Sequence, residues 1–170
     1  MRMFLSAAFF MSAIALSASL PNPAAANSLK PFTTDGCSLW IDGTPEQPHL
    51  WRHCCVAHDL AYWQGGSKAD RQQADADILA CVKQAQGPGM AQYMYANVRW
   101  GGSPYWMSSY RWGYGWNYLD GIWPRGYKLP TAEEQAQIAA QLPAAQALMA
   151  RDIELYPASK DKELTPAPAN

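Results

Sequence analysis

Long apolar runs are missing from all but the first 26 residues of this 170-residue chain. No later stretch of about 18 apolar residues occurs, which gives no sequence ground for a helical membrane span there. Net charge is also scarce. Lys and Arg number 13 against 14 Asp and Glu, a formal −1 that becomes −2 once residues 1–26, which hold Arg2 and no acid, are set aside. That balance offers no basic surface for nucleic acid. Cysteine is sparse, four in all, and no two have the C-x-x-C spacing of structural zinc sites. No G-x-S-x-G elbow marks a serine nucleophile.

Residues 1–26 have the pattern of a secretory signal peptide. Arg2 gives the positive start, "MFLSAAFFMSAIALSASL" the apolar run, and "PNPAAA" a small-residue site for cleavage after Ala26. The expected location is therefore secreted or periplasmic. The remaining 144 residues suffice for one domain, expected over 27–156, with a polar disordered tail at 157–170. Export also bears on the cysteines, because four in an oxidising compartment most simply form two disulfides. The competing reading is a zinc site from His53, Cys54, Cys55 and His58. It ranks lower, since adjacent cysteines chelate one ion poorly.

After the turn-rich segment "NSLKPFTTDGCSLWIDGTPEQP", a helical pattern spans about His49 to Gln64 and stops at Gly65-Gly66. "SKAD" at 67–70 is a capping box that opens a second helix, expected to end near Gln86 at Gly87-Pro88-Gly89. Two helices joined so tightly fold back as an antiparallel hairpin. At ~1.5 Å per residue, His58 and Asp75 then lie level, and Cys54 comes within about one turn of Cys81. Hairpin geometry thus allows a Cys54–Cys81 bridge and a facing His58–Asp75 pair, with Asp77 pointing away. Cys37 is left for Cys55, tying the preceding loop beside Asp59. A third helix is expected over 90–99. "TAEE" at 131–134 caps a last helix running towards Glu154, which Pro143 should kink or split.

The chemistry suggested is hydrolytic. His58 has the type and placement of a general base, with Asp75 fixing its tautomer, and with the cysteines occupied the nucleophile is water. Asp59, directed towards a loop carrying Asp35 and Asp42, suits a hard oxygen-bound ion, Ca²⁺. "CCVAHDLAY" resembles the C-C-x-x-H-D-x-C-Y helix of secreted phospholipases A2. "DGC" is similar to the end of that family's calcium loop, and "ADADILACVK" resembles its second helix, in which Asp precedes Cys by six residues as Asp75 precedes Cys81. The resemblance covers roughly residues 33–84. A further family bridge would need cysteines where this chain has Ala61 and Ala74, so both ends are absent together.

That resemblance implies the same two disulfide pairings, His58 as base, Asp75 as its orienting partner and Tyr62 as a hydrogen-bond donor to Asp75. It implies Asp59 as a calcium ligand, and the loop, closer to bacterial members, implies Asp35 and the Gly36 carbonyl, with Asp42 in reserve. The fold implied is all-α: a disulfide-linked antiparallel helix pair with an N-terminal calcium-binding loop, an aromatic-rich irregular segment and a C-terminal helix. The implied activity is Ca²⁺-dependent cleavage of the sn-2 ester of glycerophospholipids at a membrane surface. The alternative is a non-catalytic scaffold that binds lipid, an envelope glycan or a protein. Nothing in the sequence sets an oligomeric state. The segment 100–127 holds Trp100, Tyr105, Trp106, Trp112, Tyr114, Trp116 and Trp123. These suit core filling, an acyl channel, an interfacial face or a glycan platform, with core filling expected for most.

Overall fold

The computed structural model describes residues 27–158. The signal peptide expected at 1–26 and nearly all of the tail expected at 157–170 lie outside these residues. The described chain is mostly helical, with four helices and one short strand pair: α1 Arg52–Gln64, α2 Lys68–Gln86, α3 Pro88–Gly101, β1 Leu119–Asp120, β2 Trp123–Pro124 and α4 Ala132–Leu155. The strands are antiparallel. Among the described residues, no helix is long and apolar enough to cross a membrane.

The α1–α2 hairpin is antiparallel, and its cross-links show it. As positions advance along α1 through Cys54, His58 and Tyr62, their partners on α2 retreat through Cys81, Asp75 and Arg71. Gly65 and Gly66, both at positive φ, reverse the chain. Ser67 and Asp70 then close a complete capping box that satisfies the first free amides of α2. Both disulfides, Cys37–Cys55 and Cys54–Cys81, are present and no cysteine is free, which is compatible with an extracellular or periplasmic location.

Two helix starts and the continuity of the last helix differ from expectation. α1 begins at Arg52 rather than His49, because Leu50 N–H bonds to the Gln47 carbonyl and Trp51 N–H to that of Asp42, holding 49–51 in turns. α3 begins at Pro88 rather than 90. Gly87 alone ends α2, and proline is well tolerated at the first helical position, where its missing N–H costs nothing. α4 is not split at Pro143 but runs unbroken through it. Its two ends are anchored separately, Glu134 by Arg125 and Asp152 by Arg52, while Pro143 faces solvent.

The core has two parts. One joins the disulfides to Trp51, Ile78, Val82, Ala91 and Met94 beneath α1, α2 and α3. The other gathers Leu29, Phe32, Tyr62, Trp63, Trp112, Tyr114 and Trp116 with Ala145 of α4. The aromatic segment therefore divides. Its 111–116 stretch is buried, and each buried indole N–H finds a carbonyl: Trp112 donates to Gly66 at 3.0 Å and Trp116 to Gln64 at 2.8 Å. Gly115 makes this docking possible, since a Cβ there would lie 2.5 Å from the Trp63 ring. Trp100, Tyr105, Trp106 and Trp123 remain exposed. Trp116→Ala is accordingly expected to cost about 3–5 kcal/mol in urea unfolding, and Trp123→Ala less than ~0.5 kcal/mol. Equal losses would contradict this division.

Candidate active site

Asp75 is the centre of the site and is wholly buried. Its Oδ1 accepts from Tyr62 Oη at 2.6 Å and contacts His58 Nε2 at 2.9 Å. Its Oδ2 accepts from Arg99 Nη1 at 2.6 Å, with Arg71 Nε 3.7 Å away. Burial by itself would raise the Asp75 carboxyl, but the hydrogen bonds from His58, Tyr62 and Arg99 outweigh it and hold the group below the usual carboxylate range. An ionised carboxylate only accepts, so the His58 proton resides on Nε2. Nδ1 is left as the basic nitrogen, with no partner among the described residues.

Tyr62 is itself positioned. Arg71 Nε donates to its hydroxyl at 3.0 Å, and the other Arg71 nitrogens reach the Val98 and Arg99 carbonyls and Tyr127 Oη. Arg71 thereby joins α2, the end of α3 and the aromatic segment around one carboxylate. Its place four residues before Asp75 on one helix face is a signal legible in the sequence. Arg99 and Tyr127 carry no such local signal.

Asp59, the residue after His58, points to the other side. Thr34 Oγ1 donates to its Oδ2 at 2.7 Å, a partner the sequence did not reveal. No cation pairs with Asp59 at salt-bridge distance among the described residues, though it is more buried than His58 beside it. Burial pushes its carboxyl up to about 8, with the Thr34 bond opposing and the charge of Asp35 adding to the rise.

Asp35, Gly36 and Asp59 line the same cavity as His58. Asp42 does not join them there. Its Oδ1 accepts from Cys37 N–H at 2.8 Å and its Oδ2 from Arg52 Nη1 at 2.6 Å, so both oxygens are committed. Arg52 holds the loop more widely, donating to the Asp35 carbonyl at 3.0 Å and forming a two-pronged pair with Asp152 of α4. Gly36, at φ +80°, lets that guanidinium pass: a Cβ there would fall 2.1 Å from Arg52 Nη1.

The cavity measures about 600 Å³. Its walls are apolar, with Trp40, Ile78, Tyr93, Met94, Val98 and Met107, and its polar floor carries His58, Asp59 and Tyr62. Trp40, Trp100 and Met107 around it are exposed. Trp40 leans against Tyr93 with ring centroids 4.9 Å apart.

The carboxylates on this cavity, a buried Asp59 without a cationic partner among the described residues and Asp35, are hard oxygen donors of the kind a calcium-type ion takes. The group His53, Cys54, Cys55 and His58 does not converge. Both sulfurs are spent in disulfides to other partners, and His58 turns to Asp75. Compared with protein-family models, with curated proteins and with solved structures, the chain matches none.

Proposed function

We propose that the chain is a calcium-dependent hydrolase of the phospholipase A2 kind, cleaving the sn-2 acyl ester of glycerophospholipids outside the cytoplasm. The observation that carries this reading is an imidazole with one nitrogen fixed by a buried carboxylate and the other without a partner among the described residues, lining a largely apolar cavity. His58 Nδ1 takes a proton from water as the oxygen attacks the ester carbonyl. Asp75 stabilises the imidazolium that forms, and Tyr62, Arg71 and Arg99 keep Asp75 ionised and immobile. His58 then returns the proton to the leaving alkoxide.

The apolar walls receive an acyl chain, and their exclusion of water strengthens each polar interaction at the floor. Asp59, Asp35 and the Gly36 carbonyl are the groups that would hold Ca²⁺. When bound, the ion supplies Lewis-acid polarisation of the carbonyl and a counter-charge for the lipid phosphate. The single domain over 27–156 belongs to this same proposal.

Fatty-acid release from mixed phospholipid vesicles, with Ca²⁺ and with chelator, tests the reading. Calcium-dependent release from the sn-2 position is expected. Calcium-dependent vesicle binding without any release would instead leave the non-catalytic scaffold.

The ion site carries its own pH signature. Calcium needs the Asp59 carboxylate, and burial keeps that group protonated up to about pH 8 in the ion-free protein. Below that value ion binding must expel a proton. The apparent dissociation constant is therefore expected to fall about tenfold per pH unit on approaching pH 8 and to level off above it, as read by titration calorimetry. A flat profile would remove Asp59 from the ligand set.

A further inference from the structure

On the outer side of the helix pair, His53 of α1 lies against the Cys54–Cys81 disulfide. Its Nε2 is 3.5 Å from Cys54 Sγ and 3.6 Å from Cys81 Sγ. The three ligand-type atoms all fall within 4.8 Å of one another. None of the three residues lines the cavity that holds His58, so the group stands apart from the proposed hydrolytic site and does not depend on it.

We infer that His53, Cys54 and Cys81 form a zinc-binding site that is uncovered when the Cys54–Cys81 disulfide is reduced. The geometry is already close to what the ion requires. Zn–S bonds of about 2.3 Å and a Zn–N bond of about 2.0–2.1 Å at tetrahedral angles set the N···S edge at roughly 3.5 Å. Both His53–sulfur distances are at that value before any rearrangement. Opening the S–S bond frees the two sulfurs to part to their own tetrahedral edge. His53 is exposed and Cys81 half-buried, so the fourth position faces solvent and takes a water.

The chemistry balances with a dithiol as reductant. One of its thiolates attacks Cys81 Sγ, and Cys54 leaves as a thiolate that takes up a proton. The second thiol of the reductant then resolves the mixed disulfide. Two electrons pass to the protein, the reductant becomes a disulfide, and Cys54 and Cys81 become thiols. Zinc then displaces one proton from each thiol and takes the lone pair of His53 Nε2.

Access favours this bridge over Cys37–Cys55, whose cysteines are both buried. Cys54 is on α1 and Cys81 on α2, so the ion would replace one covalent clamp by another across the same two helices.

The test uses the full chain, oxidised and after reduction by a phosphine, titrated with zinc chloride against a chromophoric chelator. One zinc per chain is expected for the reduced protein and no tight binding for the oxidised one. His53→Ala, an exposed substitution that leaves both disulfides able to form, is expected to weaken reduced-state binding about a hundredfold. Alkylation read by mass spectrometry locates the site without further variants: zinc is expected to protect Cys54 and Cys81 and not Cys37 or Cys55.

The inference is overturned by a reduced chain that binds no zinc, whether folded or unfolded by circular dichroism. It is equally overturned by undiminished affinity in His53→Ala, or by protection centred on Cys37 and Cys55. None of these results bears on vesicle hydrolysis by the oxidised protein, so the two readings fail separately.

Discussion

His58→Ala is expected to lower calcium-dependent release of sn-2 fatty acid by about 10²–10⁴-fold, the usual contribution of a positioned general base. The protein should remain folded. Removing the imidazole takes one hydrogen bond from Asp75, which keeps Tyr62 at 2.6 Å and Arg99 at 2.6 Å. It also takes one face from Tyr62, whose ring lies 4.1 Å from that of His58 yet keeps an edge-on contact with Trp112. Calcium affinity should change little, since Asp59 is held by Thr34 rather than by His58. The informative pattern is thus a collapse of turnover with near-native circular dichroism and calcium titration. Release within tenfold of the parent protein would place the base elsewhere and sink the mechanism, whatever became of the fold.

The second large effect falls on stability. Asp75→Ala takes the carboxylate from the buried Arg71 and the half-buried Arg99, and breaking a buried charge cluster by removing one partner costs about 3–5 kcal/mol. The loss exceeds that of an ordinary surface acid because Asp75 has no exposed surface and faces Arg71 and Arg99 together. Asp77→Ala, two residues on and exposed, is the matched control, expected within ~0.5 kcal/mol.

A pH scan adds a second readout. The folded-state pKa of Asp75 lies below its ordinary 3.8. Its contribution is therefore fully present above about pH 4 and is lost as pH falls through the depressed value. Urea unfolding across that acid window should show a steep decline in the parent protein and a shallower one in Asp75→Ala. A cost under ~1 kcal/mol would mean that the arginines find water when the carboxylate is gone.

What the sequence disclosed is local. Gly65-Gly66 followed by the Ser67–Asp70 box places the hairpin turn, and the rise per residue then brings His58 opposite Asp75 and Cys54 opposite Cys81. Asp77 falls on the exposed side by the same periodicity. What it withheld is long-range. Arg52 meets Asp152 a hundred positions away, and no spacing rule connects them. Arg99 reads as a routine charge near a helix end, although it closes over Asp75. Thr34 sits among turn residues indistinguishable by type. The aromatic segment lacked a period, so its division into a buried stretch at 111–116 and exposed rings elsewhere was illegible. The buried stretch docks through backbone and indole bonds to carbonyls at and just after the end of α1, Gly113 N–H to the Tyr62 carbonyl at 2.7 Å among them, which no periodicity announces. Asp42, a plausible ligand by its loop position, proved to be engaged by Arg52.

The Arg52–Asp152 pair also orders events in time. Bringing together residues separated by 100 positions costs roughly 1.5 kcal/mol more chain entropy than closing the 17-residue separation of His58 and Asp75. Nearby contacts therefore form first, and the hairpin with α3 can assemble while α4 is still searching. The C-terminal end of α4 is therefore expected to dock late, adding Asp152 to a guanidinium that already holds the Asp35–Asp42 loop through Asp42 and the Asp35 carbonyl. A nascent chain halted before residue 152 is expected to carry the base, its carboxylate and a loop already tied to α1 by Cys37–Cys55 and by Arg52 with Asp42, so the ion-facing side gains only its last support, the two-pronged Arg52–Asp152 pair, when the end of α4 arrives.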